Sequence, residues 1–539
     1  MRLEERYLAP ASNIMTDYIN GEKTIRHYFS YEPSDKEFAR RYDILKQHEV
    51  DREKVSSIIR NYMGQREITE AAEANLKAFE KGAPVVVTGQ QAGLLTGPLY
   101  TVHKAISVVV LAKQASEQLK ADVVPVFWIA GEDHDLAEIS HLYREVDGRI
   151  DKMNVPHRKY GKHSASTAVL DKEEVGTYLE EYFRSLPETD HTKKLHAVVF
   201  DFLDKAKTFT DFFAEFLNFF FKKEGLLYID AANPQLRKYE SPYFVKMINR
   251  SKEIAETVVS TEQALVKDGY SAAMEADRNA ANLFVTVKGE RVLLQRDGQN
   301  FTGNQGAVKL TKEELLEVAK TSPELLSNNV VTRPVMQEMV FPVLAFVGGP
   351  GEIAYWAALK NTFQLFDMEM PVVMPRLGMT IVNRQIQTLL QKYRLTFPDI
   401  VEQKKLVDLR NVLFESIREK EAESLVENLE QILVREYEEI KQKFSSVSGG
   451  LTPLVEKNLE IHLKQLRFLK DKLEDEVILQ NSVQFTHFNM IENELFPNGS
   501  LQERIYSPIP YMNHYGLDMV QDLLELSYQY DKNHKIIWF

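Results

Sequence analysis

Short apolar runs that end abruptly in polar or glycine-rich clusters recur along the first two thirds of the chain. The first, PVVV at 84–87, stops at Thr88–Gly89–Gln90–Gln91; Gly93, Gly97 and Pro98 follow, then an apolar stretch through Leu111. This pattern predicts a buried strand, a glycine-rich loop and a helix entered at Pro98, where a missing N–H costs nothing. DVVPVFWI at 122–129 predicts a second buried strand, because near-continuous β-branched and aromatic residues suit a parallel sheet covered on both faces. Runs at 226–230, 342–347 and 371–374 repeat the pattern. Strand, helix, strand forms a right-handed unit. The expected core is therefore a three-layer α/β domain from about 84 to 374, broken by two insertions.

Between these runs the pattern changes. Residues 1–83 read as a helical layer, with Phe38, Tyr42, Ile44 and Leu45 on one apolar face and Ala72, Leu76 and Phe79 on another. The core's first half, 84–139, gives way to a charged, mainly helical insertion at 140–225, with helices at 195–205 and 212–221. Core resumes at 226–259. A small α+β insertion follows at 260–330, with a hairpin turning at Gly289–Glu290, a loop at 298–306 and a helix at 311–320. The core's second half is 331–388, with a helix at 353–366 after the fourth strand. From 389 to 485 the periodicity becomes heptad-like. Leu459, Leu466 and Leu473 lie seven apart, with Leu463 and Val477 on the alternate row and Lys470 interrupting it; Leu425, Leu429, Ile432 and Ile440 form a comparable seam upstream. A Ser/Gly turn at 445–450 joins the two, predicting an antiparallel coiled-coil arm and, through it, a homodimer. The segment 486–539 should pack on the core, with the apolar residues 536–539 buried.

Composition narrows the function. Lys plus Arg number 66 against 79 Asp plus Glu, a net charge of −13, so a broad nucleic-acid footprint is not expected. There is no cysteine, which removes disulfides, thiolate zinc and a cysteine nucleophile from consideration. The opening MRLEERYLAP is charged and no apolar run reaches the roughly 18 residues that span a bilayer. A soluble cytoplasmic protein, with no membrane partner, is the expectation.

Candidate chemistry sits at the strand ends, where open α/β sheets bind ligands. Thr88, Gly89, Gln90, Gln91, Gly93 and Gly97, with the helix start behind them, form a candidate phosphate or carboxylate cradle; the equal alternative is a tight strand–helix turn with no ligand. Tyr100, His103 and Lys104 follow on the helix. The second strand ends in Glu132, Asp133, His134 and Asp135, the densest ionisable cluster after any apolar run; its carboxylates suit an amine or Mg²⁺, and His134 a proton. The bland alternative is a helix N-cap at Asp135. After the fourth strand come Gly349, Glu352 and Tyr355, and beyond the fifth Arg376, a planar bidentate donor.

TGQQAGLLTGPLYTVHKA (88–105), FWIAGEDHDLAEI (127–139), FVGGPGEIAYW (346–356) and VMPR (373–376) together resemble the BshC family, the cysteine ligases of bacillithiol biosynthesis, over nearly the whole chain. The resemblance implies a Rossmann-like nucleotidyltransferase core similar to class I aminoacyl-tRNA synthetases, with connecting-peptide insertions and a coiled-coil arm. It implies amide-bond formation between cysteine and the amine of glucosaminyl-malate, with ATP converting the cysteine carboxylate to an adenylate. On that reading, and from their place at the strand ends, His103, Lys104, Asp133 and His134 would be catalytic and the other strand-end residues would bind substrate or nucleotide, with no metal site of the protein's own; the cysteine-ligated zinc of related cysteine-charging enzymes is impossible in a chain without cysteine. The synthetase signatures are not reproduced: Tyr100, Thr101, His103 and Lys104 stand where HxGH would, and 375–380 reads PRLGMT. The rival reading is a non-catalytic nucleotide- or sugar-binding partner of another ligase, acting through the coiled coil.

Overall fold

The computed structural model describes residues 1–10, 12–156 and 160–539. The chain divides into two compact units: one of residues 1–146, 150–381 and 502–539, the other of 147–149 and 382–501.

The first unit is built on five parallel strands: β1 (Val85–Gln90), β2 (Val124–Ile129), β3 (Leu227–Asp230), β4 (Val343–Gly348) and β5 (Val372–Pro375), in the spatial order β5-β4-β1-β2-β3. All pairs are parallel, with Val87 opposite Val126 on one side and Phe346 on the other. This is the doubly wound order, reversing direction between β1 and β4. The strands are buried throughout because helices cover both faces. Phe127 meets Phe213 of helix Phe209–Phe221 on one face; its neighbour Trp128 meets Phe341 on the other, where Phe79 of helix Glu70–Glu80 also packs.

Several elements differ from the sequence pattern. The helix after β1, α1 (Tyr100–Leu119), begins two residues beyond Pro98. Leu95, Thr96 and Gly97 all take left-handed φ, so the chain reverses tightly, and a Cβ on Gly93 would lie 2.8 Å from the Gly97 Cα. The mainly helical insertion carries a hairpin of His141–Val146 with Arg149–Asn154. The α+β insertion is a five-stranded antiparallel sheet, and the expected loop at 298–306 contains its strand Asn300–Gly303. The helix after β4 is two pieces, α2 (Pro350–Trp356) and Lys360–Gln364. The expected N-terminal helical layer opens with a strand, Arg2–Tyr7, paired antiparallel with Asn533–Trp538, whose Ile536 and Ile537 are buried as expected.

The second unit is helical. Its two long helices, Lys420–Val447 and Thr452–Gln480, form the expected antiparallel hairpin. Tyr437 donates to Asn458 (2.6 Å), and Lys441–Glu456 (2.6 Å) and Lys470–Glu427 (2.8 Å) bridge the helices. Leu466 and Val477 are buried in the seam. The upstream seam is different from the one expected: the first helix half-buries Val426, Leu433 and Tyr437, while Leu425, Leu429, Ile432 and Ile440 are exposed. No helix among the described residues is long and apolar enough to cross a membrane.

Candidate functional site at the sheet's switch point

A cavity of about 510 Å³, ligand-sized, opens where β1 and β4 diverge. Gly89 and Gln90 from β1, Gln91 just beyond it, Asp133 beyond β2, Gly349 and Glu352 beyond β4, and Arg376 beyond β5 all line it. The polar clusters at these strand ends therefore open on one mouth. Tyr100, Lys104 and Tyr355 line it as well.

Lys104 is the most deeply placed of these. Its ammonium is buried and donates to Gly89 O (2.9 Å), Gln90 Oε1 (2.8 Å) and Glu352 Oε2 (2.6 Å). Three acceptors satisfy all three N–H groups. Burial pushes its pKa down, and Glu352 opposes the shift. Lys104 thus fastens the end of β1 to the start of α2. Glu352 also accepts from the Gly349 N–H (2.7 Å), capping α2 as well as facing the cavity.

Of the expected cradle only Gly89, Gln90 and Gln91 reach the cavity. Gly93 and Gly97 do not line the cavity, and Leu94, Leu95 and Thr96 turn inward and are buried. At the helix start the Leu99 N–H is taken by Tyr506 O (2.7 Å) and the Thr101 N–H by Pro98 O (2.9 Å), so neither is free for an anion. Thr88 is buried and donates to Val347 O (2.7 Å), tying β1 to β4. Positive charge comes from side chains instead: Arg333, Arg376 and Arg504 line the cavity.

The acidic tetrad is divided among four tasks. Glu132 is buried and turned away from the cavity; it pairs with Arg237 and with Arg333 Nε (3.0 Å). Burial raises its pKa, but Arg237 and Arg333 outweigh that and hold it ionised. Asp133 faces the cavity: Gln91 Nε2 donates to its Oδ2 (2.9 Å) and to Glu138 Oε2 (2.9 Å), which also lines the cavity. Burial is again outweighed, by Arg333 and Arg291, so Asp133 is a carboxylate at neutral pH. His134 is outside the cavity lining. Its ring lies edge-on to Phe284 at 5.8 Å and its Nδ1 is 3.3 Å from Arg291, so burial and that arginine lower its pKa. Asp135 is exposed and caps helix Leu136–Ile139 by accepting from the Glu138 N–H (3.2 Å). Among the described residues no group of three His, Asp or Glu side chains is arranged to hold a metal by itself.

His103 does not reach the cavity. It is buried and its Nδ1 lies 2.8 Å from Glu503, beyond the far side of Arg376. Glu503 receives Arg376 through two nitrogens (2.9 and 2.5 Å) and the Met379 N–H (3.0 Å). Burial raises the Glu503 pKa, but Arg376 and His103 override this and hold it well below the usual carboxylate range. The Arg376 guanidinium also lies 5.7 Å from the Tyr100 ring centroid. Arg333, Glu503 and Glu138 escaped the sequence reading of the site, and nothing local marks Arg333 in TRPVMQEM. Arg504 reaches the cavity from the aromatic C-terminal segment.

Two family models cover the chain: bacillithiol biosynthesis BshC, N-terminal Rossmann-like domain, over residues 1–377, and the C-terminal coiled-coil domain of BshC over 379–539. The chain belongs to the BshC family. Relatives named "Putative cysteine ligase BshC" match along their whole length or nearly so. That of Lysinibacillus sphaericus C3-41 is 42% identical over 538 residues, covering 100% of both chains. That of Geobacillus kaustophilus HTA426 is 39% identical over 542 residues, again 100% of both, and that of Bacillus cereus AH187 37% over 533 residues, 98% of both. The boundary between the two BshC models falls beside β5 and Arg376, close to where the first compact unit gives way to the second.

Proposed function

We propose that the chain is a cytoplasmic ligase that joins cysteine to the amine of glucosaminyl-malate through an amide bond, the last step of bacillithiol biosynthesis, using ATP. One observation carries this reading beyond the names of its relatives. The switch-point cavity is bipolar, with Arg333, Arg376 and Arg504 on its wall together with the Asp133–Gln91–Glu138 carboxylate pair. Arginines suit phosphate and carboxylate oxygens; a carboxylate pair suits an ammonium group.

In this reading the arginines hold the nucleotide phosphates, and Asp133 and Glu138 hold the amino group of cysteine. A cysteine carboxylate oxygen attacks the α-phosphorus; the bond from that phosphorus to the bridging oxygen breaks and pyrophosphate leaves. The acceptor amine then attacks the cysteinyl carbonyl, the bond to the phosphate oxygen breaks, AMP leaves and the nitrogen gives up a proton. Arg376, fixed by Glu503, meets the charge that develops on phosphate. Mg²⁺ fits as a companion of the nucleotide, with Asp133 or Glu138 the available carboxylate, and would neutralise phosphate charge. The exposed Leu425, Leu429, Ile432 and Ile440 row is the proposed homodimer contact.

Purified protein incubated with cysteine, ATP and glucosaminyl-malate tests this. Bacillithiol with AMP and pyrophosphate supports the adenylate route. ADP in their place would replace it with an acyl phosphate. Absence of turnover would leave the partner-protein reading in possession.

A further inference from the structure

Three side-chain amides line the switch-point cavity, and two of them are spent inside the protein. Gln90 accepts from Lys104 (2.8 Å), and Gln91 donates to Asp133 and to Glu138 (2.9 Å each). The third, Gln337, is 3% exposed, and its amide makes no hydrogen bond among the described residues. A buried amide that no group of the protein answers destabilises the fold that keeps it, so its presence on a cavity wall calls for a ligand.

Gln337 stands one turn beyond Arg333 on helix Thr332–Val340, and the two face the cavity together with Pro334. Against burial, Arg333 does most to keep Asp133 ionised, so the order along this wall is Asp133, Arg333, Gln337. The large apolar groups of the lining are Trp128 of β2, Val330, Pro334, Phe346 of β4 and the Tyr355 ring of α2. Phe346 is stacked on Trp356 at 4.2 Å, and Trp128 meets Phe341 edge-on at 6.2 Å, so both rings are fixed from behind. One amide among aromatic and aliphatic walls suits a small, soft group that makes a single weak hydrogen bond. A thiol is such a group: its sulfur is polarizable, packs well against rings, and donates or accepts weakly. A hydroxyl gives up more water to enter these walls, and a methyl leaves the amide unanswered.

We propose that this recess is the side-chain pocket of the amino-acid substrate: the Gln337 amide meets the cysteine thiol while Asp133 and Glu138 hold the ammonium group. The inference rests on the ligase reading above and names what selects the amino acid. The chain has no cysteine, so it has no thiolates of its own with which to hold zinc against the substrate sulfur. A neutral amide and ring faces receive the sulfur as a thiol. Gln337 touches the side chain and not the reacting carboxyl, so it acts on the choice of substrate.

Calorimetric titration of the full chain with cysteine, serine and α-aminobutyrate, each with a non-hydrolysable ATP analogue present, tests the pocket without requiring turnover. α-Aminobutyrate carries a methyl group where cysteine has its thiol. Wild type should bind cysteine about tenfold more tightly than either analogue. Gln337→Met keeps the length of the side chain and removes the amide. Its preference for cysteine over α-aminobutyrate should fall below about threefold, with affinity for the ATP analogue as in wild type. Gln337→Asn, which withdraws the amide by one carbon, should lose the preference as well and serves where the first variant does not fold. An unchanged preference in the variants would overturn the proposal, and so would equal or absent binding of cysteine and α-aminobutyrate in the unaltered chain. Loss of affinity for the ATP analogue in place of the cysteine preference would also overturn it, by putting the base in the recess. Failure of the ligase reading shows separately, as a protein that selects cysteine through Gln337 and yet forms no amide.

Discussion

Replacing Glu503 with Gln isolates the buried pair that holds Arg376. The carboxylate sits at 3% exposure between Arg376 (7%), His103 (0%) and the Met379 N–H. Removing one partner of such a pair costs about 3–5 kcal/mol, because the other charge stays buried and unpaired. Gln keeps an acceptor for one N–H, so about 2–4 kcal/mol is expected at pH 7, a large part of the ~5–15 kcal/mol that holds a typical domain together. The sign with pH follows from the depressed pKa. Glu503 stabilises the fold above its unfolded value near 4.5, and that stabilisation is lost as pH falls through the lower folded value. Urea denaturation of both proteins from pH 4 to pH 8 should show a gap that is widest near neutrality and narrows toward the acid end. In the proposed mechanism Glu503 acts on substrate only through Arg376, so kcat/KM should fall at least about tenfold as well. A stability gap under about 0.5 kcal/mol at pH 7, the size expected of an indifferent surface change, would refute the reasoning.

Three further outcomes follow from the geometry. Lys104→Met should lower turnover by about 10²-fold or more, since it frees β1 from α2. Because burial lowers the Lys104 pKa, wild-type activity should decline with rising pH below the usual lysine range, and the pH profile of the variant should lack that decline. Burial raises Asp230 from 3.8 to about 6, against hydrogen bonds from Ser166 and the Ala232 N–H; the folded state therefore loses stability as pH rises through 6. Thermal melts should show the advantage of Asp230→Asn growing by up to about 3 kcal/mol between pH 4 and pH 8. Leu429→Glu with Ile432→Glu, both in the exposed row of the helical hairpin, should turn the proposed homodimer into a monomer by sedimentation without loss of helix by circular dichroism.

The parallel core was legible because a strand buried on both faces has to be apolar at every position, and such runs stand out from polar surroundings. Their carboxyl ends were legible for the same reason, and with them Gln91, Asp133, Glu352 and Arg376. At 91–97 the glycines fit an open cradle and a tight turn alike, because the left-handed Leu95 and Thr96 that fold the loop inward leave no compositional trace. Glu132 and His103 could not be assigned from neighbours in sequence: their partners Arg333 and Glu503 are 201 and 400 positions away. In the helical hairpin, heptad spacing revealed apolar rows on both helices but not which row on the first helix meets its partner; Val426, Leu433 and Tyr437 took the inside and left the more regular row outside.

The strand Arg2–Tyr7 has no partner until residues more than five hundred positions later exist. Arg2 then lies opposite Trp538, Trp538 Nε1 donates to Glu4 (3.0 Å), and the neighbouring Lys535 N–H reaches Gly378 O (2.8 Å), two residues from Arg376. At ~5–20 residues per second a ribosome needs roughly half a minute to two minutes to cover that distance. Through that interval the nascent chain carries an unsatisfied strand edge, a site for chaperone capture or for mispairing between neighbouring polysomal copies. The backing of the Arg376 turn waits on the same late segment, so newly made protein should acquire activity only once Asn533–Trp538 is in place, however early its sheet assembles.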